Sequence, residues 1–196
     1  VETIIDAAIQ QNIYVMVDFH THFADDYMNL AHEFFGHISK KYGRYPHVIY
    51  EIFNEPLLNG ATSAGRTSPN NANGWTQVIK PYAEQVIATI RKNDPNNMII
   101  VGTRDYSKRI DEVIGNQIND VNVAYAFHYY VALHDIVERG YAQTAIDAGI
   151  PVFVTEWGLD KRAYVNETLS QKIIHKTYNI WPDFIQDNKL SAITWS

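Results

Sequence analysis

The residues Val48-Ile49-Tyr50-Glu51-Ile52-Phe53-Asn54-Glu55-Pro56 form a β-branched and aromatic run that stops abruptly in Asn-Glu-Pro. The run predicts a strand over Val48–Phe53. Its near-continuous apolar character predicts a strand covered on both faces, as in a parallel sheet. Five further runs have the same form: Ile13–Asp18, Met98–Gly102, Val121–Phe127, Pro151–Thr155 and Leu190–Trp195.

Helical patterns lie between these strands. The chain opens in a helix over about Glu2–Gln11 that feeds the first strand. Asp25 and Asp26 precede an apolar face of Tyr27, Leu30, Phe34, Ile38 and Tyr42, with Gly43 as the expected end. Trp75, Val78, Ile79, Tyr82, Ala83, Val86, Ile87 and Ile90 follow the three-four spacing of one buried face, and Pro81 predicts a kink or a late start. A weaker pattern covers Asp135–Ala148 and closes at Gly149. A last one uses Leu169, Ile173, Ile174, Tyr178 and Phe184, with a break near Pro182. Asn166-Glu167-Thr168 fits a glycosylation acceptor and reads here as the cap of that helix.

Strand and helix in alternation predict a parallel sheet with right-handed crossovers. A doubly wound sheet and a barrel both fit the order. The polar residues favour the barrel, because they stand at the end of every strand: Asp18-Phe19-His20-Thr21-His22, Glu51-Ile52-Phe53-Asn54-Glu55-Pro56, Thr103-Arg104-Asp105-Tyr106, His128-Tyr129-Tyr130, Thr155-Glu156-Trp157-Gly158 and Trp195. In a parallel barrel all carboxyl ends of strands open on one face, where such groups converge. The expected architecture is therefore α/β, an incomplete barrel of about six βα units forming a single domain over residues 1–196.

Composition narrows the function. The net charge of −6 argues against nucleic acid or an anionic membrane as partner. The absence of cysteine excludes disulfides, thiolate catalysis and cysteine zinc sites. No apolar run approaches the roughly 18 residues that span a bilayer. The start, Val1-Glu2-Thr3-Ile4-Ile5, does not read as a signal peptide, as a mature secreted protein also would not. Tyrosine and tryptophan number 13 and 4, most of them expected in the core and a few as stacking surface for flat ligands such as sugars.

Two acids stand at strand ends, Glu55 and Glu156. Cleavage of a glycosidic bond needs one carboxyl group to protonate the leaving oxygen and an ionised one to attack the anomeric carbon or to activate water. A single glutamate at a strand end is ordinarily a solvated charge; the pair, with Asn54, His128, Tyr130 and Trp157 beside it, points to that chemistry.

Ile49–Pro56 resembles the acid/base strand of glycoside hydrolase family five, endoglucanase type, and Val152–Gly158 resembles its nucleophile strand. Tyr14–His20, Phe127–Tyr130 and Ile193–Ser196 resemble its third, sixth and eighth strands. The resemblance runs over nearly the whole chain and places it at strands three to eight of the barrel. It implies Glu55 as acid/base and Glu156 as nucleophile. Asn54 is implied as partner of the sugar 2-hydroxyl, and His20 and His128 as donors around the cleavage subsite. Tyr130 is implied as hydrogen-bond donor to the nucleophile, and Trp195 as platform beneath the sugar; Trp157 is also expected to contact substrate. The implied activity is retaining hydrolysis of β-1,4-glucan by a secreted enzyme without metal or organic cofactor. Departures from the family pattern are the absent first two strands with their arginine, the absent final helix, Tyr106 where tryptophan is usual, and the loop Leu159-Asp160-Lys161-Arg162. Open edges of such a barrel lead to a further expectation, association of copies through them. Competing readings are a non-cleaving carbohydrate-binding barrel, a β-mannanase, and a metal-dependent hydrolase using His20, His22, His128 and His134.

Overall fold

The structure, a computed structural model, describes residues 1–57, 73–159 and 179–195. Six strands form one sheet in the order β1 (Val15–Asp18), β2 (Val48–Glu51), β3 (Ile99–Val101), β4 (Val123–Tyr130), β5 (Val152–Gly158) and β6 (Ala192–Thr194), every pair parallel. The sheet curls. His20 beyond β1 and Trp195 beyond β6, at the two outermost strands, stack their rings 5.1 Å apart with planes 14° from parallel. The expected incomplete barrel is what the sheet builds.

Helices cover the outside: α1 (Glu2–Gln10), α2 (Met28–Tyr42), α3 (Lys80–Arg91), the one-turn α4 (Arg104–Ser107), α5 (Ile136–Asp147) and α6 (Trp181–Asp187). Pro81 does produce a late start. Helical backbone begins in a π-helical turn at Trp75–Ile79 and runs through Ile79 and Lys80 into α3, so the regular α-helical winding starts at Lys80, next to the position where Pro81 removes a donor. Asp135 caps α5 in a reciprocal box with Glu138, and Gly149 follows at φ +76°. The face expected for α2 is rotated in its first half. Ala31, Phe35, Ile38 and Tyr42 are buried, whereas Tyr27 and Leu30 are 52% and 53% exposed. Ile38 and Tyr42 hold their expected places. The difference lies in the first half, because steps of four from Leu30 to Phe34 to Ile38 drift around a helix of 3.6 residues per turn, while Ala31, Phe35 and Ile38 stay on one face. Tyr27 belongs to a 3-10 turn ahead of the helix. Gly43 ends α2 with right-handed φ −60°. It is required there by contact rather than by conformation, since a Cβ would lie 2.5 Å from the Ser39 carbonyl oxygen. Leu169, Ile173, Ile174 and Tyr178, the reading of Asn166-Glu167-Thr168 as a cap, and Asp160–Arg162 lie outside the described residues.

Alternation along the strands separates two interiors. On β4, Val123, Tyr125, Phe127 and Tyr129 pack outward with the helices, where Tyr129 stacks on Trp181 at 3.7 Å. Ala124, Ala126, His128 and Tyr130 occupy the alternate positions facing the barrel axis. Inside, Met16, Ile49, Ile100, Ala124, Ala126 and Phe153 form an apolar layer. Toward the carboxyl ends of the strands comes a polar layer of Asp18, Glu51, His128 and Thr155, of which Glu51 and His128 are 3% and 2% exposed.

Candidate active site

Beyond Glu51 the chain leaves the ladder, and side chains take over the backbone of Ile52–Glu55. The Ile52 N–H still donates to the Ile100 carbonyl at 3.0 Å. The Tyr82 hydroxyl donates to the Ile52 carbonyl at 2.8 Å, the Ser107 hydroxyl to the Asn54 carbonyl at 2.6 Å, and His22 Nδ1 to the Glu55 carbonyl at 3.0 Å. Gly102 lies directly against this segment; a Cβ there would fall 2.0 Å from the Phe53 carbonyl oxygen. Ser107 follows Asp105 and Tyr106 in the left-handed region, at φ 55°, 58° and 59° respectively. Such a conformation costs about 1 kcal/mol or more per residue. It turns the chain so that Ser107 points at Asn54 and Tyr106 reaches the rim of the pocket.

Glu156 depends on a bulge. Between its registers with Ala126 and His128, β5 runs Phe153 to Glu156; against β6 it runs Val154 to Trp157 while the partner advances from Ala192 to Thr194. The extra residue lets Thr155 and Glu156, adjacent in sequence, both face inward. Simple alternation would have turned one of them out.

The acids meet over His128. Its Nδ1 lies 2.9 Å from Glu55 Oε1 and 3.7 Å from Glu156 Oε2. One oxygen of each acid and the His128 nitrogen lie within 4.8 Å of one another. The Tyr130 hydroxyl donates to Glu156. Together Glu55, Glu156, His128 and Tyr130 border a pocket of about 510 Å³ whose remaining lining is Tyr106, Lys108, Leu133 and His134.

Charges in the site are set by burial and by these contacts. Burial would raise the Glu55 carboxyl, but the hydrogen bond and charge of His128 outweigh it and hold Glu55 below its ordinary value. Burial opposes the charge of His128, yet the Glu51 and Glu55 carboxylates prevail and raise it to about 9. Asp18 pairs in register with Glu51, so the two carboxyls share one face of neighbouring strands. Burial, and then the Glu51 charge, push Asp18 up to about 7, against the His20 bond at 2.6 Å. Burial and then Lys108 hold His134 down; its Nδ1 accepts the Tyr130 N–H at 2.8 Å.

A pH effect on stability follows from His128. Folding raises it from 6.5 to about 9, so the folded chain binds this proton more tightly than the unfolded chain does. The contribution is complete below the unfolded value and is lost as pH rises through the folded one. We expect the melting temperature to fall between those two values by calorimetry, and His128→Asn to flatten that decline. An equally steep decline in the variant would remove His128 as its cause.

The structure thus brings Glu55, Glu156, His128 and Tyr130 together, with Asn54 buried just before Glu55. His20 and Trp195 stand at the curled edges, Trp195 47% exposed. Trp157, expected among the sugar-contacting residues, is placed on the helix side. Its ring stacks on Tyr129 at 5.9 Å and packs against the outer core, because the bulge turns Glu156 in and the next residue out. Nor do the histidines converge as the metal reading requires. Among the described residues Glu55, His128 and Glu156 are the one group of three with metal-type donors in mutual reach, and His20, His22 and His134 do not join it. Reading the strand ends did not single out Ser107 or Lys108, and took His22 only as a candidate metal ligand. Glu51 stood among the quoted strand-end residues without a role, although a charge two positions after Ile49 lies on the inward phase of the strand.

Comparison with known proteins agrees with this geometry. A family model described as Cellulase (glycosyl hydrolase family 5) matches residues 1–196. Endoglucanase Z of Dickeya dadantii is 39% identical over 199 residues, covering 100% of this chain and 42% of that protein. Endoglucanase A of Evansella cellulosilytica is 40% identical over 204 residues, covering 100% of this chain and 37% of that protein. The crystal structure of the catalytic domain of Thermobifida fusca endoglucanase Cel5A matches with a TM-score of 0.77 at 30% identity, over 100% of this chain and 60% of that one. A second structure of that domain, in complex with cellotetraose, matches with a TM-score of 0.76. The chain spans about two fifths of the length of the two endoglucanases. With the family model matching from end to end and six parallel strands curled as in its solved relatives, the chain belongs to the cellulases of glycosyl hydrolase family 5.

Proposed function

We propose that this chain carries the catalytic centre of a retaining endo-β-1,4-glucanase, with Glu55 as acid/base and Glu156 as nucleophile. The observation that carries the reading is that an oxygen of each acid lies within 4.8 Å of one on the other, beside a common pocket. Retaining glycosidases keep their carboxyls about 5–5.5 Å apart, and inverting ones leave room for a water between them. Glu55 gives its proton to the leaving oxygen as Glu156 attacks the anomeric carbon and the glycosidic bond breaks. Water, giving a proton back to Glu55, then displaces Glu156 from the sugar. The Tyr130 hydroxyl supports the ionised form of Glu156. Tyr106, 45% exposed at the rim, offers a ring face to the sugar beyond the cleaved bond.

The endoglucanase names of the relatives favour glucan over mannan as substrate. A polymer of that size is met outside the cell, which makes secretion part of the proposal. Incubation with carboxymethyl cellulose should release reducing ends, and proton NMR of a cello-oligosaccharide digest should show the β-anomer appearing first. First appearance of the α-anomer would exclude the retaining mechanism. Binding of soluble glucan without new reducing ends would make the chain a carbohydrate-binding barrel instead.

A further inference from the structure

We propose that Glu51 and Thr155 are positioning residues which keep one ring nitrogen of His128 protonated and leave the other to share a single proton with Glu55. The inference rests on the reading of Glu55 as acid/base.

The hydrogen bonds form a directed chain through the barrel interior. Thr155 Oγ1 lies 2.6 Å from Glu51 Oε1. A carboxylate only accepts, so the one hydroxyl proton of Thr155 points at Glu51. The hydroxyl oxygen, 2.7 Å from His128 Nε2, is then left as an acceptor, and Nε2 must carry hydrogen. Nδ1 faces Glu55 Oε1 at 2.9 Å. Two arrangements satisfy that last contact: imidazolium with carboxylate, or neutral imidazole with carboxylic acid. They differ only by a proton moving from Nδ1 to Glu55.

This supplies what the free site lacks. The cationic His128 holds Glu55 below its ordinary value, yet the first chemical step needs Glu55 protonated. Transfer from Nδ1 gives Glu55 its proton and leaves a neutral ring with its lone pair toward the acid. Glu55 then passes that proton to the leaving oxygen. In the second step Glu55 takes a proton from water and can return it to Nδ1, which closes the cycle. A ring free to change tautomer could turn a hydrogen at Nδ1 toward the newly protonated acid and break the contact; the Thr155 bond prevents it.

Other charged groups bear on the pair. Glu51 and Asp18 lie beneath His128, Glu156 approaches Nδ1 at 3.7 Å, and His22 Nδ1 stands 3.6 Å from Glu55 Oε2. His20 bonds Asp18, while Lys108 and His134 line the far wall. Asp18, its carboxyl raised by burial and then by the Glu51 charge, stands in register with Glu51 on the neighbouring strand.

Nitrogen-15 NMR of the imidazoles, followed from neutral to alkaline pH on the chain itself, tests the inference. Nε2 of His128 should keep its proton throughout, and Nδ1 should be the nitrogen that titrates. Loss of the proton from Nε2 overturns the proposal without any variant. Thr155→Val should release the tautomer and lower the His128 midpoint by about one pH unit or more, and Thr155→Ser should restore both. Glu51→Gln retains an acceptor but not the charge, so it should lower the midpoint and keep the tautomer. A folded Thr155→Val with unchanged tautomer and midpoint also overturns the proposal. A purely structural role would lower stability without moving either. On glucan the alkaline limb of kcat/KM should shift in the same direction. If no hydrolysis is seen, the reading of Glu55 as acid/base fails on its own, while the spectra still decide the relay.

Discussion

Glu156→Gln should abolish glucan hydrolysis, by about 10⁴-fold or more, while the melting temperature stays close to that of the parent. The amide has the shape of the carboxylate, so packing is preserved at a position only 6% exposed. It cannot form the bond to the anomeric carbon, and nothing else in the pocket replaces it: Glu55 approaches the same space but is bonded to His128. Glu55→Gln should fail on polymer to a similar degree, yet differ on an aryl cellobioside with a good leaving group. There the first step needs no proton, so a burst of aryl alcohol should precede a slow second step. Near-parental hydrolysis of polymer by either variant would defeat the assignment, as would a burst from Glu156→Gln in place of Glu55→Gln.

The second large effect is expected from a residue with no chemistry of its own. Gly102→Ala would place a methyl group 2.0 Å from the Phe53 carbonyl oxygen and 2.9 Å from that of Asn54. Both neighbours are backbone, so either β3 or the segment bearing Glu55 must move. Overpacking of this kind costs about 1–3 kcal/mol, which in a chain of this size lowers the melting temperature by about 2–12 °C. The displaced segment carries Glu55, the proposed acid/base. A 1 Å misplacement there can lower kcat by about 10²-fold. Calorimetry and turnover on glucan should therefore both fall. A variant that keeps parental stability and turnover would show that the close approach is relieved elsewhere.

Legibility in the sequence varied by residue for physical reasons. The strand ends were readable because the chain changes composition sharply where a buried strand meets the open face of the barrel. Glu55, His128 and Tyr130 lay at such changes, and the structure places all three at one pocket. Pro81 and Gly149 were readable because each acts within one turn of its own helix. The first half of the α2 face was misjudged because apolar residues at steps of four, Leu30, Phe34 and Ile38, drift around the helix, and Ala31 and Phe35 hold the buried line instead. Trp157 was misplaced for a similar reason, since strict alternation has no room for an extra residue.

By itself, then, the sequence determined which segments become strands and helices, that the strands run parallel, and that acids, histidines and aromatic residues stand at their carboxyl ends. These follow from local propensity and from the period of burial, which each segment carries alone. Only the tertiary structure decided the rest. Curling brought His20 against Trp195, register set Asp18 beside Glu51, and the bulge in β5 turned Thr155 and Glu156 to the same side. Close approach at Gly102 seated the segment bearing Glu55. Each of these depends on parts of the chain far apart in sequence, and the distances and burial that fix what a carboxyl or imidazole does exist only once the sheet has curled around them.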